Sequence, residues 1–427
     1  MAKKEIEQTE IEAPYELPEG WKWCRLGDCS SLISKGTTPK GGKEAYIKEG
    51  INFLRIENLN EDGSINHSNI SHISKEEHEG SLKRSILEAG DLLISIAGTL
   101  GKVGFVRECD LPMNTNQAIA FVRLHKNLFE NMYLKYAIES PLVNNKLLSK
   151  TKVTSIPNLT LEIISNCKIP LPPTLAEQQR IVNRIESMFA KLDEAKEKAQ
   201  NVVDGFETRK AAILHKAFTG ELTAKWRREN DVGDDSWEEK TLGELLFPMT
   251  SKNPTGDTFR YIDIDAIDNE NQVVRCPKTI VTSEAPSRAS RELKENDVLF
   301  SMVRPYLKNI AFIDNSLSDC IASTGFYICR CKEVIFPFYL YNFLCSKDAI
   351  DYLMQFMKGD NSPSIRKDDL LGMKINLPTL PEQQEIVRIL DSVLEKERTA
   401  KQAAEAVLEQ IDLLKKTILA RAFRGEL

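Results

Sequence analysis

PTLAEQQRIV at residues 173–182 recurs as PTLPEQQEIV at residues 378–387, and this repeat decides the fold. The similarity continues without a gap to the closing sequences ILHKAFTGEL at 213–222 and ILARAFRGEL at 418–427, always at an offset of 205 residues. Between the two 50-residue segments, 22 positions are identical. An internal repeat of this length indicates that one structural unit is present twice in the chain.

Weaker similarities extend the repeat over the rest of each half. Trp21 corresponds to Trp237, and LEAGDLLIS at 87–95 resembles LKENDVLFS at 293–301. We therefore expect two variable domains that alternate with two similar helix regions. The predicted organisation is a flexible N-terminal tail at 1–14, a first variable domain at 15–170, a first helix region at 171–222, a linker at 223–236, a second variable domain at 237–376 and a second helix region at 377–427.

Both helix regions have the alternating three- and four-residue apolar spacing of coiled coils. In the first region the spaced residues are Ile181, Ile185, Met188, Leu192, Ala195, Ala199, Val202, Phe206, Ile213 and Ala217. In the second they are Ile386, Leu390, Val393, Ala400, Ala404, Val407, Ile411, Leu414 and Ile418, and the charged residues Glu397 and Lys401 lie on or beside this seam. Proline precedes each segment, and Gly220 and Gly425 follow, as expected at helix starts and stops. We expect two long helices that pack as an antiparallel coiled coil.

The variable domains have a mixed pattern. Short strand-like runs alternate with polar, glycine-containing turns, and each domain also contains an amphipathic stretch typical of a helix. The runs are INFLRI, DLLISIA and AIAFVRL in the first domain and YIDIDAI, DVLFSMV and FYICRC in the second. The predicted fold class is α+β: two similar mixed α/β domains joined by two long helices, with pseudo-twofold symmetry.

Composition excludes several classes of protein. The 427 residues include 57 Lys and Arg against 63 Asp and Glu, a net charge of −6, so no strongly basic surface covers the chain. The sequence has no apolar run long enough to span a membrane and a polar N-terminus unlike a secretory signal. Nine irregularly spaced cysteines predict reduced thiols and a cytoplasmic protein.

Familiar catalytic and metal-binding motifs are not recognisable. GTLGKVG at 98–104 suggests a phosphate-binding loop, but Ile96 replaces its first glycine and Val103 its final Ser or Thr. The spacing of His67, His72 and His78 matches no familiar metal site. We therefore expect neither a catalytic residue nor a metal ion in this chain.

Several motifs together carry a resemblance to a known family. They are LPEGWKWCRLGD at 17–28, SKGTTPK at 34–40, NTNQAIAFVRL at 114–124, the duplicated PTLxEQQxIV and the duplicated AFxGEL. In this order they resemble the specificity subunits of type I restriction–modification systems, over nearly the whole chain.

The resemblance implies a DNA-recognition role. Each variable domain would be a target recognition domain for one half of a split, asymmetric site in double-stranded DNA. The helices would set the separation of the half-sites and dock two methylation subunits. The chain would be non-catalytic and bind no cofactor; S-adenosylmethionine would belong to the methylation subunits, and ATP to the restriction subunits of a complete restriction complex.

Two other functions remain compatible with the repeat itself. The chain would be a structural coiled-coil scaffold without a DNA role if the variable domains only capped the helices. It would be a self-sufficient DNA methyltransferase or nuclease if its catalytic motifs had diverged. DNA binding with and without partners distinguishes the scaffold from the specificity subunit, and turnover by the isolated chain would indicate the enzyme.

Candidate DNA-contacting residues follow from the chemistry of phosphates and base edges. Lys and Arg neutralise phosphates and contact guanine, whereas Asn and Gln pair with adenine. Because no domain is basic overall, such a surface must be local, with partner subunits adding to it. The candidates are Lys35, Lys40, Lys43, Lys102, Asn114, Asn116, Gln117, Lys150, Lys152 and Thr154 in the first half, and Arg304, Tyr306, Lys308, Ser364, Arg366 and Lys367 in the second.

The duplicated AFxGEL sequences have two interpretations. They are helix ends whose phenylalanines pack on the protein, or they are equivalent docking sites for two copies of one partner. Under the second interpretation the partner-binding residues are Phe218, Gly220, Glu221, Leu222, Phe423, Gly425, Glu426 and Leu427.

Overall fold

The computed structural model describes residues 14–149 and 158–427, apart from the side chains of Lys43 and Asp234. Residues 1–13, which make up nearly all of the predicted tail, lie outside the described residues. Within the described ranges, no helix combines the length and the apolar composition that crossing a membrane requires.

The described residues form two units that do not coincide with the two halves of the sequence. The first unit contains the residues up to Ala199 together with the C-terminal segment that begins at Ala406. The second unit contains the continuous segment Gln200–Glu405. Each unit therefore includes one variable domain and parts of both helix regions.

Small sheets form the first variable domain. One sheet is antiparallel with the strand order β2-β8-β5-β6; a second has the order β4-β3-β7, with β3 and β7 parallel; β1 pairs with β9. The strands are β1 (Lys22–Arg25), β2 (Ser30–Lys35), β3 (Ile51–Leu54), β4 (Ser71–Ile73), β5 (Leu92–Ser95), β6 (Val103–Phe105), β7 (Met113–Thr115), β8 (Ile119–Leu124) and β9 (Lys168–Leu171). The helices are α1 (Lys75–Glu79), α2 (Asn131–Glu139), α3 (Pro141–Ser149) and α4 (Leu161–Ser165).

The helix regions contain two helices in the first repeat and one in the second. They are α5 (Leu175–Asp204), α6 (Phe206–Phe218) and, after the second variable domain, α12 (Leu380–Ala422). The break at Gly205, where one helix is expected, has a local cause: the Arg209 guanidinium occupies the space of a Cβ at Gly205 and donates to the Val202 carbonyl (2.8 Å). The equivalent residue of α12 is Gln410, and α12 continues.

The second variable domain repeats the same strand connections. Its antiparallel sheet has the order β11-β20-β17-β18, its mixed sheet has the order β15-β12-β19-β16 with β12 and β19 parallel, and β10 pairs with β21. The strands are β10 (Glu238–Thr241), β11 (Leu246–Phe247), β12 (Thr258–Ile262), β13 (Ile267–Asp268), β14 (Val273–Val274), β15 (Lys278–Val281), β16 (Ala289–Glu292), β17 (Val298–Ser301), β18 (Ile310–Phe312), β19 (Ile321–Ser323), β20 (Phe326–Cys331) and β21 (Lys374–Leu377). The helices are α7 (Ala224–Glu229), α8 (Leu242–Leu245), α9 (Pro337–Cys345), α10 (Lys347–Met354) and α11 (Lys367–Leu371). The prediction of two similar α+β domains is confirmed.

Within each unit the long helices run antiparallel. In the first unit Lys415 pairs with Asp193 (2.5 Å), and Phe423 shares a core with Ile181, nearer the start of α5. In the second unit Arg209 of α6 pairs with Glu397 of α12 (2.7 Å). A later residue of one helix thus meets an earlier residue of the other, as predicted.

The predicted apolar seam of α12 is partly wrong. Val407 and Leu414 are 40% and 45% exposed, and Ala400 is also exposed. The helix instead directs two charged residues to its partner: Glu397 pairs with Arg209, and Lys401 lies 5.0 Å from the Phe206 ring centroid. The buried apolar residues that accompany them are Leu394, Ala404, Ile411 and Leu419. Paired charges and cation–π contacts make these positions compatible with a helix interface.

Gln178 and Gln383, equivalent residues of the two repeats, make equivalent hydrogen bonds and account for the similar start of each repeat. The buried Gln178 accepts a hydrogen bond from the Glu130 amide (2.8 Å) and donates to the Leu128 carbonyl (3.1 Å). Gln383 makes the same pair of bonds, accepting from the Phe336 amide (2.7 Å) and donating to the Val334 carbonyl (3.1 Å). Each side chain satisfies backbone groups of the neighbouring domain and so fixes the start of a long helix.

The AFxGEL sequences end the long helices against the same domains. The rings of Phe423 and Tyr133 are 5.3 Å apart, and those of Phe218 and Tyr339 are 5.2 Å apart, both edge to face. Gly425 has φ +76°, and a Cβ there would collide with the Pro18 ring. These sequences therefore pack and terminate helices.

The segment predicted as a linker at 223–236 contains α7 and a buried ion pair. The Arg227 guanidinium lies 2.8 Å from Glu382, which also accepts hydrogen bonds from the Thr223 hydroxyl (2.6 Å) and the Trp237 indole (3.1 Å). Glu382 has no exposed surface. The segment is thus attached to the start of α12, because its polar residues are used in one buried network.

Cys24 and Cys29 form a disulfide in the first unit. The prediction that the cysteines are reduced is wrong for this pair. Both residues are buried, and the turn after β1, in which the Cys29 amide donates to the Arg25 carbonyl (3.2 Å), brings them together.

Replacing Glu382 with Gln should destabilise the second unit by about 3–5 kcal/mol, since it removes the buried carboxylate that binds Arg227, Thr223 and Trp237. Glu177 is the equivalent residue of the first repeat and pairs with Arg180 on the surface (2.9 Å). Glu177→Gln should cost less than about 1 kcal/mol. Urea denaturation of both variants measures the difference, and equal losses would contradict the assigned role of Glu382.

Candidate nucleic-acid interface

Two distant segments of the second variable domain meet at one surface. The Arg304 amide, in the loop between β17 and β18, donates to the Pro363 carbonyl (2.8 Å), and its guanidinium donates to the Asn361 carbonyl (2.9 Å). The Ile365 amide donates to the Met302 carbonyl (3.0 Å). The predicted residues Arg304, Ser364 and Arg366 therefore belong to one surface.

The β17–β18 loop has an unusual backbone. Arg304 and Lys308 have φ values of +49° and +51°, in the left-handed region that residues other than glycine rarely adopt. Between them Pro305 is buried, whereas Tyr306 and Leu307 are exposed. Strained backbone of this kind persists where the surroundings hold it, and it often occurs at binding sites. The loop thus presents an aromatic side chain in a fixed position.

Two further cations lie at the start of α11. Arg366 caps this helix, with its amide donating to the Asp369 carboxylate (2.7 Å), and Lys367 is its first residue. Both side chains are exposed, whereas Ser364 and Lys308 are half-buried. The exposed Arg288 lies near the β17–β18 loop: its carbonyl accepts from the Thr324 amide (2.8 Å), and the next residue, Gly325, accepts from the Met302 amide (2.9 Å).

The first variable domain has a smaller polar surface near the end of β2. Gly36 donates to the Ile119 carbonyl (3.0 Å), so Lys35 lies next to the turn that contains Asn116 and Gln117. The Asn116 side chain accepts from the Ala118 amide (3.2 Å) and shapes this turn, and Gln117 is exposed. Lys40, in the loop after β2, is exposed as well.

Arg84 belongs to this surface and was not predicted. Its side chain is exposed, and its Nε donates to the Thr37 hydroxyl (3.1 Å), two residues after Lys35. The available sequence signal was the dipeptide Lys83-Arg84 in a polar segment; its proximity to Thr37 depends on the fold.

Two predicted DNA contacts are structural residues instead. Asn114 is fully buried in β7, donates to the Leu82 carbonyl (3.0 Å) and contacts the His78 ring. Lys102 is half-buried and its ammonium donates to the Leu59 carbonyl. Because their polar groups are used inside the domain, neither is available to DNA. Lys150, Lys152 and Thr154 lie outside the described residues, as does the side chain of Lys43.

The predicted partner-binding phenylalanines are also wrong as surface contacts. Phe218 and Phe423 are 8% and 0% exposed, because they fill the space between helix and domain. Gly220 and Gly425 form the turns that follow, Leu222 and Leu427 are half-buried, and Glu221 and Glu426 remain exposed. A partner could contact the glutamates directly, but not the aromatic rings.

Ion pairs within each domain neutralise some of its basic side chains. Arg123 binds the buried Asp91 (2.8 Å), and Arg330 binds the buried Asp297 in the same way (2.8 Å). The hydrogen bonds that each guanidinium donates to its aspartate raise the pKa of the arginine. Among the described candidates, no ion pair involves Lys35, Lys40, Arg304, Arg366 or Lys367. These residues keep their charge available in a chain of net negative charge.

In the described part of the chain, no three His, Cys, Asp or Glu side chains are grouped as metal ligands.

Comparison with known proteins gives consistent matches. A family model described as "Type I restriction modification DNA specificity domain" matches residues 18–203 and 234–410. The type I restriction enzyme EcoBI specificity subunit of Escherichia coli is 35% identical over 50% of this chain and 44% of its own length. The EcoKI specificity subunit of Escherichia coli strain K12 is 24% identical over 96% of this chain and 90% of its own length.

A solved structure has the same fold. The HsdS subunit from Thermoanaerobacter tengcongensis aligns with a TM-score of 0.69 at 22% sequence identity, covering 97% of this chain and 100% of that one. The fold similarity extends over both repeats.

Asn114 and Gln117 provide a matched test of structural and surface roles. Asn114→Ala should lower the free energy of unfolding by about 1–3 kcal/mol, because it leaves buried polar groups unpaired. Gln117→Ala should change stability by less than about 0.5 kcal/mol. If Gln117 contacts a base, its removal should weaken binding to target DNA by about 1–3 kcal/mol. Denaturation and fluorescence anisotropy measure the two effects, and an unstable Gln117→Ala would contradict its placement on the surface.

Proposed function

Because this chain belongs to the type I restriction–modification DNA specificity family, we propose that it recognises a split, asymmetric DNA target through its two variable domains. The single observation that carries this proposal is that the two variable domains have the same strand connections but different exposed residues in equivalent loops. The β5–β6 and β17–β18 loops follow equivalent strands, yet the first contains Gly-Thr-Leu-Gly and the second contains Arg-Pro-Tyr-Leu. Domains that share a framework but differ in exposed groups recognise different half-sites.

The chain is the non-catalytic member of its complex. Its function is to select the site, so S-adenosylmethionine is bound by methylation subunits, and ATP by the restriction subunits of a complete restriction complex. Both assignments are part of the proposal, as is a cytoplasmic location, where such a complex meets DNA.

Docking of two identical methylation subunits requires an equivalent surface in each repeat. Leu175 and Leu380 are equivalent residues at the starts of α5 and α12, and they are 40% and 39% exposed. Val334, 51% exposed, lies beside Leu380, because its carbonyl accepts from Gln383 one turn later. An exposed apolar side chain that occurs at both equivalent positions supports a duplicated docking surface, in place of the buried phenylalanines.

Mapping of methylated bases across the genome, in cells with and without this chain, tests the recognition role. Deletion should remove methylation from one split motif, and re-expression should restore it. Arg304→Gln combined with Arg366→Gln should weaken or relax recognition of only one half of that motif, because both residues belong to the second domain. An unchanged methylation pattern on deletion would contradict the proposal and favour a scaffold role.

Leu175→Glu and Leu380→Glu test the docking surface. Each should weaken binding of one methylation subunit by about 30-fold or more, as expected for a buried hot spot of ~2 kcal/mol. The double variant should lose both. Mass photometry of the assembled complex counts the bound subunits. Leu413→Glu is the control: Leu413 is 65% exposed, and the equivalent residue of the first repeat is the polar Thr208. Retention of both subunits by the double variant would refute this surface.

A further inference from the structure

A cleft of about 630 Å³ lies within the second unit, beside the β17–β18 loop. Its walls are the turn between β13 and β14, the loop residues Tyr306 to Lys308, and facing parts of α6 and α12. The basic side chains that line it are Lys210, Lys308, Arg398 and Lys401. One wall of the cleft is therefore the loop that carries the candidate DNA contacts, and the other walls include the long helices.

The internal repeat provides a comparison for this cleft. At the offset of 205 residues, Lys210 corresponds to Lys415, and Arg398 corresponds to Asp193. In the first unit Lys415 and Asp193 form an ion pair of 2.5 Å. In the second unit the equivalent residues are both cations. The ion pair of the first repeat therefore cannot form between the equivalent residues of the second, where Lys210 and Arg398 are both cations.

The positive charge is only partly compensated inside the cleft. Lys210 donates to the neutral Gln272 side chain (3.2 Å). Burial lowers the pKa of Lys210; Cys345 and Glu207 oppose this shift, and the nearby Lys308 and Arg398 add to it. Positive charges near one another at a half-buried site, such as those of Lys210 and Lys308, are unfavourable unless an anion binds between them.

The carboxylates around the cleft lie mainly beside its outer cations. The acidic residues that line the cleft are Glu207, Glu270 and Glu405, and Glu405 is 3.8 Å from Lys401. Glu395, which does not line the cleft, is 3.6 Å from Arg398. Among the described residues, neither Lys210 nor Lys308 forms an ion pair. The inner pair of lysines is therefore where an anion would gain most.

We propose that this cleft binds a backbone phosphate of the target DNA, so that α6 and α12 contact the DNA as well as connecting the domains. The proposal rests on the DNA-recognition function above, and it adds Lys210, Arg398 and Lys401 to the binding surface. The cleft shares Tyr306 and Lys308 with the candidate interface, so a strand on that surface has a phosphate within reach of the helices. A phosphate contact increases affinity for all sequences alike.

Arg398→Asp is the decisive variant, because it reproduces in the second unit the arrangement of the first. The introduced aspartate would then occupy the position equivalent to Asp193, the partner of Lys415, and a thermal melt of the variant checks that the fold is preserved. In the complex of the full chain with its methylation subunits, affinity for a mixed-sequence duplex of about 30 base pairs should fall roughly tenfold or more, and the dependence of log K on log salt should become shallower by about 0.9 per phosphate lost. Fluorescence anisotropy between about 0.05 and 0.2 M NaCl gives both values.

Lys396→Asp is the matched control, with the same change of charge on an exposed residue of α12 that does not line the cleft. It should change affinity by less than about twofold, as expected for an exposed charge that salt screens. Equal effects of the two variants would overturn the proposal while leaving DNA recognition intact. Failure of the wild-type complex to bind any duplex would overturn the proposed function itself.

A free phosphate compound is the alternative ligand, because it presents the same phosphate groups as the DNA backbone. Tripolyphosphate should raise the melting temperature of the wild-type chain more than that of Arg398→Asp, and it should compete with the duplex. Stabilisation by tripolyphosphate without any effect of Arg398→Asp on DNA affinity would assign the cleft to a free phosphate compound and overturn the DNA contact.

Discussion

The hydrogen bonds of two buried glutamines are the constraint on which the architecture depends. Gln178 and Gln383 each satisfy one amide and one carbonyl of the chain segment that precedes a domain helix, and so fix where a long helix starts. The phenylalanine that ends the other long helix packs on the same domain, at Tyr133 in one unit and Tyr339 in the other. Helix ends are therefore part of each domain core, and a change in one repeat cannot shift a helix without unpairing buried backbone groups.

Much of this arrangement follows from the sequence, because duplication is visible without knowledge of contacts. The offset of 205 residues predicts two similar domains and two similar helix regions, and the strand orders of the two domains agree with that prediction. The seam of α12 was less predictable. Apolar spacing favours Val407 and Leu414, whereas the interface uses Glu397 and Lys401, whose partners on α6 cannot be known from α12 alone.

Individual site residues were harder to predict for a related reason. Asn114 and Gln117 lie three residues apart in one polar run, yet one is buried and the other exposed. A carboxamide is equally suited to bonding a base and to bonding its own backbone, so residue type does not distinguish the roles. The phenylalanines of AFxGEL raise the same difficulty. A residue that recurs in both repeats is expected both when it packs in two similar cores and when it forms two similar docking sites. Arg84 was missed because its neighbour Thr37 is distant in sequence.

The division of the chain into units has a consequence for biosynthesis. The second unit is one continuous segment, Gln200–Glu405, whereas the first requires the C-terminal segment that begins at Ala406. All residues of the second unit are therefore synthesised before the last residues of the first unit. Nascent domains usually fold in order from the N-terminus. In this chain the core around Tyr133 is complete only once the residues around Phe423 have been synthesised.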